Sequence, residues 1–320
     1  MAAHEMYFAD DKARKAYMTK KIISNIFVYL FLTIFALFLV APFVLMISGS
    51  FVNGDNFENF KKFADFKELG FANWGLSNYK SVFQSKYEDL LHPGVYLESK
   101  GNNFGVFFLN TLIVAVGSTT VTVVTAVLAA FAFARLQFKG KEALFALLLA
   151  TMMIPGEMMV ITNYMTVNDL GWMNTFSALI FVHGVSVFYV FYLRQTFQQI
   201  PNELYLAAKV DGVGDIGYLW KVMIPIAMPT ITTIIILSMM GSWNSFIWPN
   251  LVAPGNWMGA KEGHSMLLVS NGLRLLFAQK ETFDTTKLAG SMVISIPLFL
   301  VFIFFRKYIM RGVSRSGIKG

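Results

Sequence analysis

Six runs of apolar residues, at about positions 22–47, 107–134, 143–165, 176–197, 222–251 and 288–305, constrain this chain more than any other feature. A helix needs about 20 apolar residues to cross a hydrocarbon core roughly 30 Å thick, and each run is of that order. Lipid offers no partner to an unpaired peptide group, and these runs are too long for barrel strands. The expectation is therefore an all-α, polytopic membrane protein with six transmembrane helices. Only 14% of the residues are charged, against about a quarter in a soluble domain. Pro42, Pro155, Pro225, Pro229, Pro249 and Pro297 fall in or at the ends of the runs. Kinks are tolerated there where neighbouring helices take up the freed carbonyls.

The net charge of +7 raises nucleic acid as a partner, but the placement of the charges argues for a membrane. Both termini and the loops near 135–142 and 198–221 hold 16 of the 26 Lys and Arg residues, with seven acids. That is the positive-inside pattern. It puts both termini in the cytoplasm and excludes nucleic acid. Residues 1–21 read as a cytoplasmic segment. The first apolar run lacks a small-residue cleavage pattern, so it reads as a retained span. Residues 22–320 read as one transmembrane domain. Within it, 48–104 forms a long extracytoplasmic loop carrying Trp74, Tyr79, Phe83, Tyr87 and Tyr96. This loop is either a small ordered cap or a set of amphipathic segments on the membrane surface. Residues 306–320 form a cytoplasmic tail.

Nothing in the chain reads as a catalytic centre. Gly312, Gly317 and Lys319 lack the spacing of a phosphate-binding loop. The four histidines are scattered, there is no cysteine, and no metal set emerges. Glu157 lies inside an apolar run, which leaves open an ion-driven secondary transporter that uses it.

The polar stretch between the fourth and fifth runs is placed to be a docking element. Leu204, Ala207, Ala208 and Asp211 recur at helical spacing, with Asn202 as N-cap and Gly212 as terminator. Small Ala207 and Ala208 would let another protein approach closely. The alternative is an amphipathic helix lying on the headgroups.

Ala207-Ala208, three residues, Gly212, nine residues and Val222-Met223-Ile224-Pro225 resemble the EAA signature of ABC importer permeases. Leu206 stands where that motif has its glutamate, and Glu203 lies one turn earlier. Phe108-Leu109-Asn110-Thr111-Leu112, Ala129-Ala130-Phe131-Ala132-Phe133-Ala134-Arg135, Met153-Ile154-Pro155-Gly156, Trp243-Asn244 and the Gly-rich tail are similar to the shorter, six-span subunit of maltose-type carbohydrate importers. The resemblance implies a type I importer permease fold with a coupling helix at 202–212. Glu203, Leu204, Leu206, Ala207, Ala208, Asp211 and Gly212 would couple it to ATPase subunits, and Arg315, Gly317 and Lys319 of the tail would contact them. It further implies a second, related permease, two ATP-binding cassette subunits that bind ATP and Mg, an extracytoplasmic solute-binding protein and a carbohydrate substrate. A permease for a non-sugar solute is the nearest alternative.

Three residues are candidates for the substrate pathway. Glu157 can accept bonds from sugar hydroxyls. The indole face of Trp243 suits the apolar face of a pyranose, and the Asn244 amide can satisfy a hydroxyl.

Overall fold

Four of the apolar runs become continuous helices long enough to cross a bilayer, at Tyr17–Phe51, Phe104–Arg135, Asp215–Trp243 and Thr285–Lys307. The computed structural model describes residues 11–52, 74–84, 87–88, 96–97, 103–254, 266–278 and 284–314. Among them the chain is almost wholly helical. The first part comprises α1 (Asp11–Phe51), α2 (Ser77–Gln84), α3 (Asn103–Arg135), α4 (Lys141–Ala150), α5 (Val160–Asp169), α6 (Phe176–Ile180) and α7 (Val187–Gln198). The second comprises α8 (Asn202–Val210), α9 (Asp215–Tyr218), α10 (Ile224–Trp243), α11 (Ile247–Val252), α12 (Val269–Ala278) and α13 (Asp284–Ser314). A two-residue antiparallel pair, β1 (Tyr87–Glu88) with β2 (Tyr96–Leu97), departs from the all-α expectation.

Two runs are not single spans. The third bends by 87° between Lys141–Met153 and Gly156–Asp169. Pro155 offers no amide to continue the ladder, and Ile154 before it is extended, with φ −84° and ψ 117°. Counted as one span, this pair makes a fifth. The fourth run is divided into α6 and α7 by residues 181–186. Each half begins on a hydroxyl cap. Thr175 accepts from the Ala178 amide, and Ser186 from the Tyr189 amide, both at 3.4 Å. The fifth run ends at Trp243 instead of extending to 251, and the chain re-forms a helix only at α11. The first begins earlier than expected, since α1 is helical from Asp11.

Helix α3 is the centre of the bundle, packed against α7 and α10 and touching α6 and α12. At its C-terminal end Val127 and Phe131 join Leu193, Phe197, Ile200, Tyr218, Leu219 and Met223 in one buried cluster. At its N-terminal end Phe104 and Phe107 pack with Trp243, Leu267 and Val269. Helix α1 lies along α13 and keeps most of its apolar side chains exposed, as suits a helix whose solvent is hydrocarbon. Described residues 74–84 of the long loop pack against the end of α1 and the start of α13. Asn78 donates to the Ser50 and Val52 carbonyls at 3.0 and 2.6 Å and accepts from Thr285 at 3.2 Å. Trp74 stacks on Phe51 at 4.8 Å.

The break at 181–186 frees carbonyls inside the bundle, and the neighbouring helices bond to them. Thr125 of α3 donates to the Gly184 carbonyl at 2.9 Å. Trp248 of α11 donates its indole N–H to the Ala178 carbonyl, also at 2.9 Å. Irregular backbone at membrane depth is stable only when protein or water satisfies it in this way. Glycine permits the approach, because a Cβ at 184 would lie 2.6 Å from Val121 Cγ1. Gly184→Leu is therefore expected to push the turn off α3 and lower stability by about 1–3 kcal/mol. A melting temperature in detergent equal to the wild type would show that the turn does not rest on α3.

Candidate functional site

The docking element is a short helix tied down at both ends. Helix α8 begins after Pro201, which is extended and gives no side-chain cap, so Asn202 is the first helical residue and not the expected N-cap. Its C-terminus closes as a Schellman motif, with Val213 N–H bonding the Ala208 carbonyl at 2.8 Å and Gly212 N–H the Lys209 carbonyl at 3.1 Å. Gly212 adopts φ +74°, the left-handed conformation that this closure needs. Asp215, at the start of α9, then fastens the loop. Its Oδ1 accepts from Lys209 Nζ at 2.6 Å and from Tyr205 Oη at 2.8 Å. Tyr205 in turn sits edge-on to buried Tyr218, 5.1 Å between centroids.

The charges of this clasp suit neutral pH. Hydrogen bonds from Lys209 and Tyr205 hold the Asp215 carboxyl below its ordinary pKa, and the bond to Asp215 raises that of Lys209. A depressed carboxylate keeps its contribution above its unfolded value and loses it as pH falls through the folded one. A raised ammonium keeps its contribution below its unfolded value and loses it as pH rises through the folded one. The clasp is thus complete between the acid and alkaline extremes.

The residues of the coupling set divide between two faces. Ala208 is buried, 9% exposed, in the cluster formed by Phe197, Ile200, Tyr218 and Met223. This corrects the expectation that both alanines face a partner. The outward face carries Glu203, Leu206, Ala207 and Val210, at the i, i+3, i+4, i+7 positions of one stripe. Val210 is 88% exposed and Leu206 56%. Leu204 and Asp211 are also exposed, Asp211 as the C-cap. Leu206, in the place of the motif's glutamate, therefore presents an apolar side chain.

Beneath the loop, two arginines join the helix ends. Arg135, at the end of α3, donates through Nη2 to the carbonyls of Phe197, at 2.7 Å, and Ile200. Arg194 of α7 donates through Nε to the Phe133 carbonyl at 3.2 Å and through Nη2 to both Glu142 oxygens, at 3.1 and 3.0 Å. Its guanidinium also lies 3.9 Å from the Phe145 ring centroid. Each arginine thus occupies C-terminal carbonyls of the other's helix, where a cation is favoured.

Between α3, the broken span, α10 and α11 lies a cavity of about 270 Å³. Ser118, Thr122, His183, Ser186, Tyr189, Ser238, Ser242 and Ser245 line it, together with Trp248 and aliphatic side chains, and among the described residues no Asp, Glu, Lys or Arg does. Ser118 and Ser242 hydroxyls meet across it at 2.7 Å. His183 lies edge-on to Trp248 at 5.3 Å. Its volume is just below the range of about 300–1,000 Å³ for small-molecule sites.

The three expected pathway residues are not brought together. The Trp243 indole is 7% exposed, donates to the Ile294 carbonyl of α13 at 3.2 Å and packs on Phe108, so it holds α10 to α13 instead of facing the cavity. Asn244 is exposed and caps the end of α10, beside the lining residues Ser242 and Ser245. Glu157 is exposed at the bend after Pro155. The cavity's serines and threonines went unremarked in the sequence, although a hydroxyl at every fourth position of an apolar run, Ser118 and Thr122 on α3 and Ser238 and Ser242 on α10, is a visible signal. The tail residues Arg315, Gly317 and Lys319 lie outside the described residues.

A Cβ at Gly212 would meet no atom within 4 Å, so substitution there costs conformation and not space. Gly212→Val is expected to cost about 1–2 kcal/mol locally and to speed hydrogen exchange across residues 205–215 while leaving the spans unchanged. Unaltered exchange would show that the turn tolerates a β-branched residue.

A family model described as "Binding-protein-dependent transport system inner membrane component" matches residues 122–315. The chain is 29% identical over 226 residues to the arabinooligosaccharides transport system permease protein AraQ of Halalkalibacterium halodurans, covering 71% of this chain and 78% of that one. It is 27% identical over 303 residues to the polygalacturonan/rhamnogalacturonan transport system permease protein YtcP of Bacillus subtilis, covering 92% and 98%. The fold is shared with the crystal structure of a bacterial ABC transporter involved in the import of the acidic polysaccharide alginate, at TM-score 0.72 and 21% identity, over 95% of this chain and 99% of that one. A bundle built round α3, a broken fourth run and a clasped α8 are thus found in a chain that belongs to the family of binding-protein-dependent transport system inner membrane components.

Proposed function

We propose that this chain is one half of the transmembrane channel of an ATP-driven importer for an oligosaccharide or disaccharide. A second, related permease would complete the channel, two ATP-binding cassette subunits would bind ATP and Mg and dock on α8, and an extracytoplasmic binding protein would deliver the solute. The observation that carries this reading is the outward stripe of α8. Leu206, Ala207 and Val210 hold apolar surface in water, which a docked partner would bury at roughly 1.5–3 kcal/mol for each large side chain. The tail, with Arg315, Gly317 and Lys319, is assigned to the same ATPase pair. Membership of a binding-protein-dependent family argues against the ion-driven alternative built on Glu157.

The cavity supports the solute class. Its hydroxyls can exchange bonds with a polyol, while the Trp248 and aliphatic walls suit the C–H faces of a sugar ring. Two relatives of this chain are named for oligo- or polysaccharide transport.

One pair of variants and one further substitution test this. Ala207→Asp sets an unpaired charge in the docking face, costing about 2–5 kcal/mol of association. The permease should insert normally and co-purify without ATPase subunits. Ala208→Asp, directed into the core, should instead reduce the yield of the permease itself. Equal co-purification of ATPase with Ala207→Asp and wild type would remove the docking reading. Separately, Tyr189→Phe deletes one cavity hydroxyl with packing retained, and is expected to raise the uptake KM about 2- to 10-fold, one neutral hydrogen bond. An unchanged KM would take the cavity out of the solute's route.

A further inference from the structure

The geometry points to Arg135 and Arg194 as positioning residues for coupling, an interlock that carries displacement of α8 into α3 and so to the cavity. The inference rests on the reading of α8 as the ATPase docking helix. Helix α8 leaves α7 through residues 199–201, and Ile200, in that connection, is held by Arg135 of α3. The same guanidinium nitrogen holds Phe197, on the last turn of α7. Arg194 reaches back from α7 to the Phe133 carbonyl. The two arginines are 8% and 6% exposed, and Nη2 of Arg135 and Nε of Arg194 are spent on backbone carbonyls, which cannot swing aside as a side-chain partner can.

The consequence is mechanical. With both helix ends cross-capped, α3 and α7 cannot slide past each other without freeing buried carbonyls. A push on α8 is therefore delivered to both at once. Thirteen to seventeen residues separate Arg135 from Thr122 and Ser118 on the same helix, a rod of roughly 20–25 Å. The interlock is thus the root of a lever whose far part lines the cavity.

Arg135→Lys, Arg194→Lys and the double variant test this in the full complex, with its second permease, ATPase subunits and binding protein, reconstituted in proteoliposomes. Lysine ends one atom short of Nη2, the nitrogen by which Arg135 holds its two carbonyls, and its single ammonium cannot replace the separate bonds of Arg194 Nε and Nη2 to Phe133 and Glu142. Each single variant should assemble, hydrolyse ATP near the wild-type rate and move about tenfold less solute per ATP, the equivalent of one charge-assisted bond. The double variant should be no worse than the poorer single, because one interlock is lost in either case. Losses that multiply in the double, or hydrolysis and uptake that fall together in step with melting temperature, would mean that the arginines only stabilise the fold, and would overturn the proposal. If the lysine variants do not assemble, Glu142→Gln decides: its carboxylate side chain is 73% exposed, so the fold survives, and a solute-to-ATP ratio equal to wild type counts against the interlock. A wild-type chain that never binds ATPase subunits overturns the docking reading along with it. Normal association with unaltered coupling in Arg135→Lys overturns the inference alone.

Discussion

Hydrocarbon cannot hydrogen-bond, and this one property of the solvent organises the molecule. Wherever the chain leaves helical geometry inside the bundle, a carbonyl is freed and another part of the protein must meet it. Thr125 and Trp248 do so at the broken fourth run, and Arg135 and Arg194 do so at the C-terminal ends of α3 and α7. Because the irregular backbone borders the cavity and the docking loop, the groups that satisfy it are also the groups that hold the functional surfaces in place.

The sequence made the long spans legible because an uninterrupted apolar run admits only a helix in lipid. It was less informative about breaks. The 143–165 run carries Pro155-Gly156, yet proline also occurs inside α1 and α13, at Pro42 and Pro297, without dividing them. What distinguishes the cases is tertiary. At 181–186 the unwound turn is stable because Thr125 and Gly184 meet across two helices, a pairing 59 residues apart that no local pattern announces. Trp243 is held by a related tertiary demand. Its type suits a sugar, but the carbonyl of Ile294, offered by the neighbouring helix, claims its N–H.

Docking-helix geometry shows how a short motif can satisfy two demands at once. Nine residues are too few for a stable free helix in water, so α8 depends on its Schellman closure, the Asp215 clasp and the insertion of Ala208 into the core. An alanine at 208 lets the helix lie close to the span ends, and a larger side chain would lift it away. Its neighbour at 207, identical in type, faces outward. Periodicity placed the pair on the helix but could not assign the inner face, because the loop's return through Gly212 and Asp215 is what selects it.

An uncharged lining has consequences for transport on the reading proposed above. A carrier must release what it admits, and a buried charge paired to the solute would slow release in proportion to its strength. Neutral hydroxyl bonds are worth only about 0.5–1.5 kcal/mol each because water competes for both partners. A cavity that offers Ser118, Thr122, Ser238 and Ser242 can therefore guide a polyol without trapping it. Selection among sugars must then come from the partners that share the pathway or deliver the solute. On the same reading, the C-terminal ends of α3 and α7 make the complementary choice: buried arginines bonded to backbone, where motion would be transmitted and slip prevented.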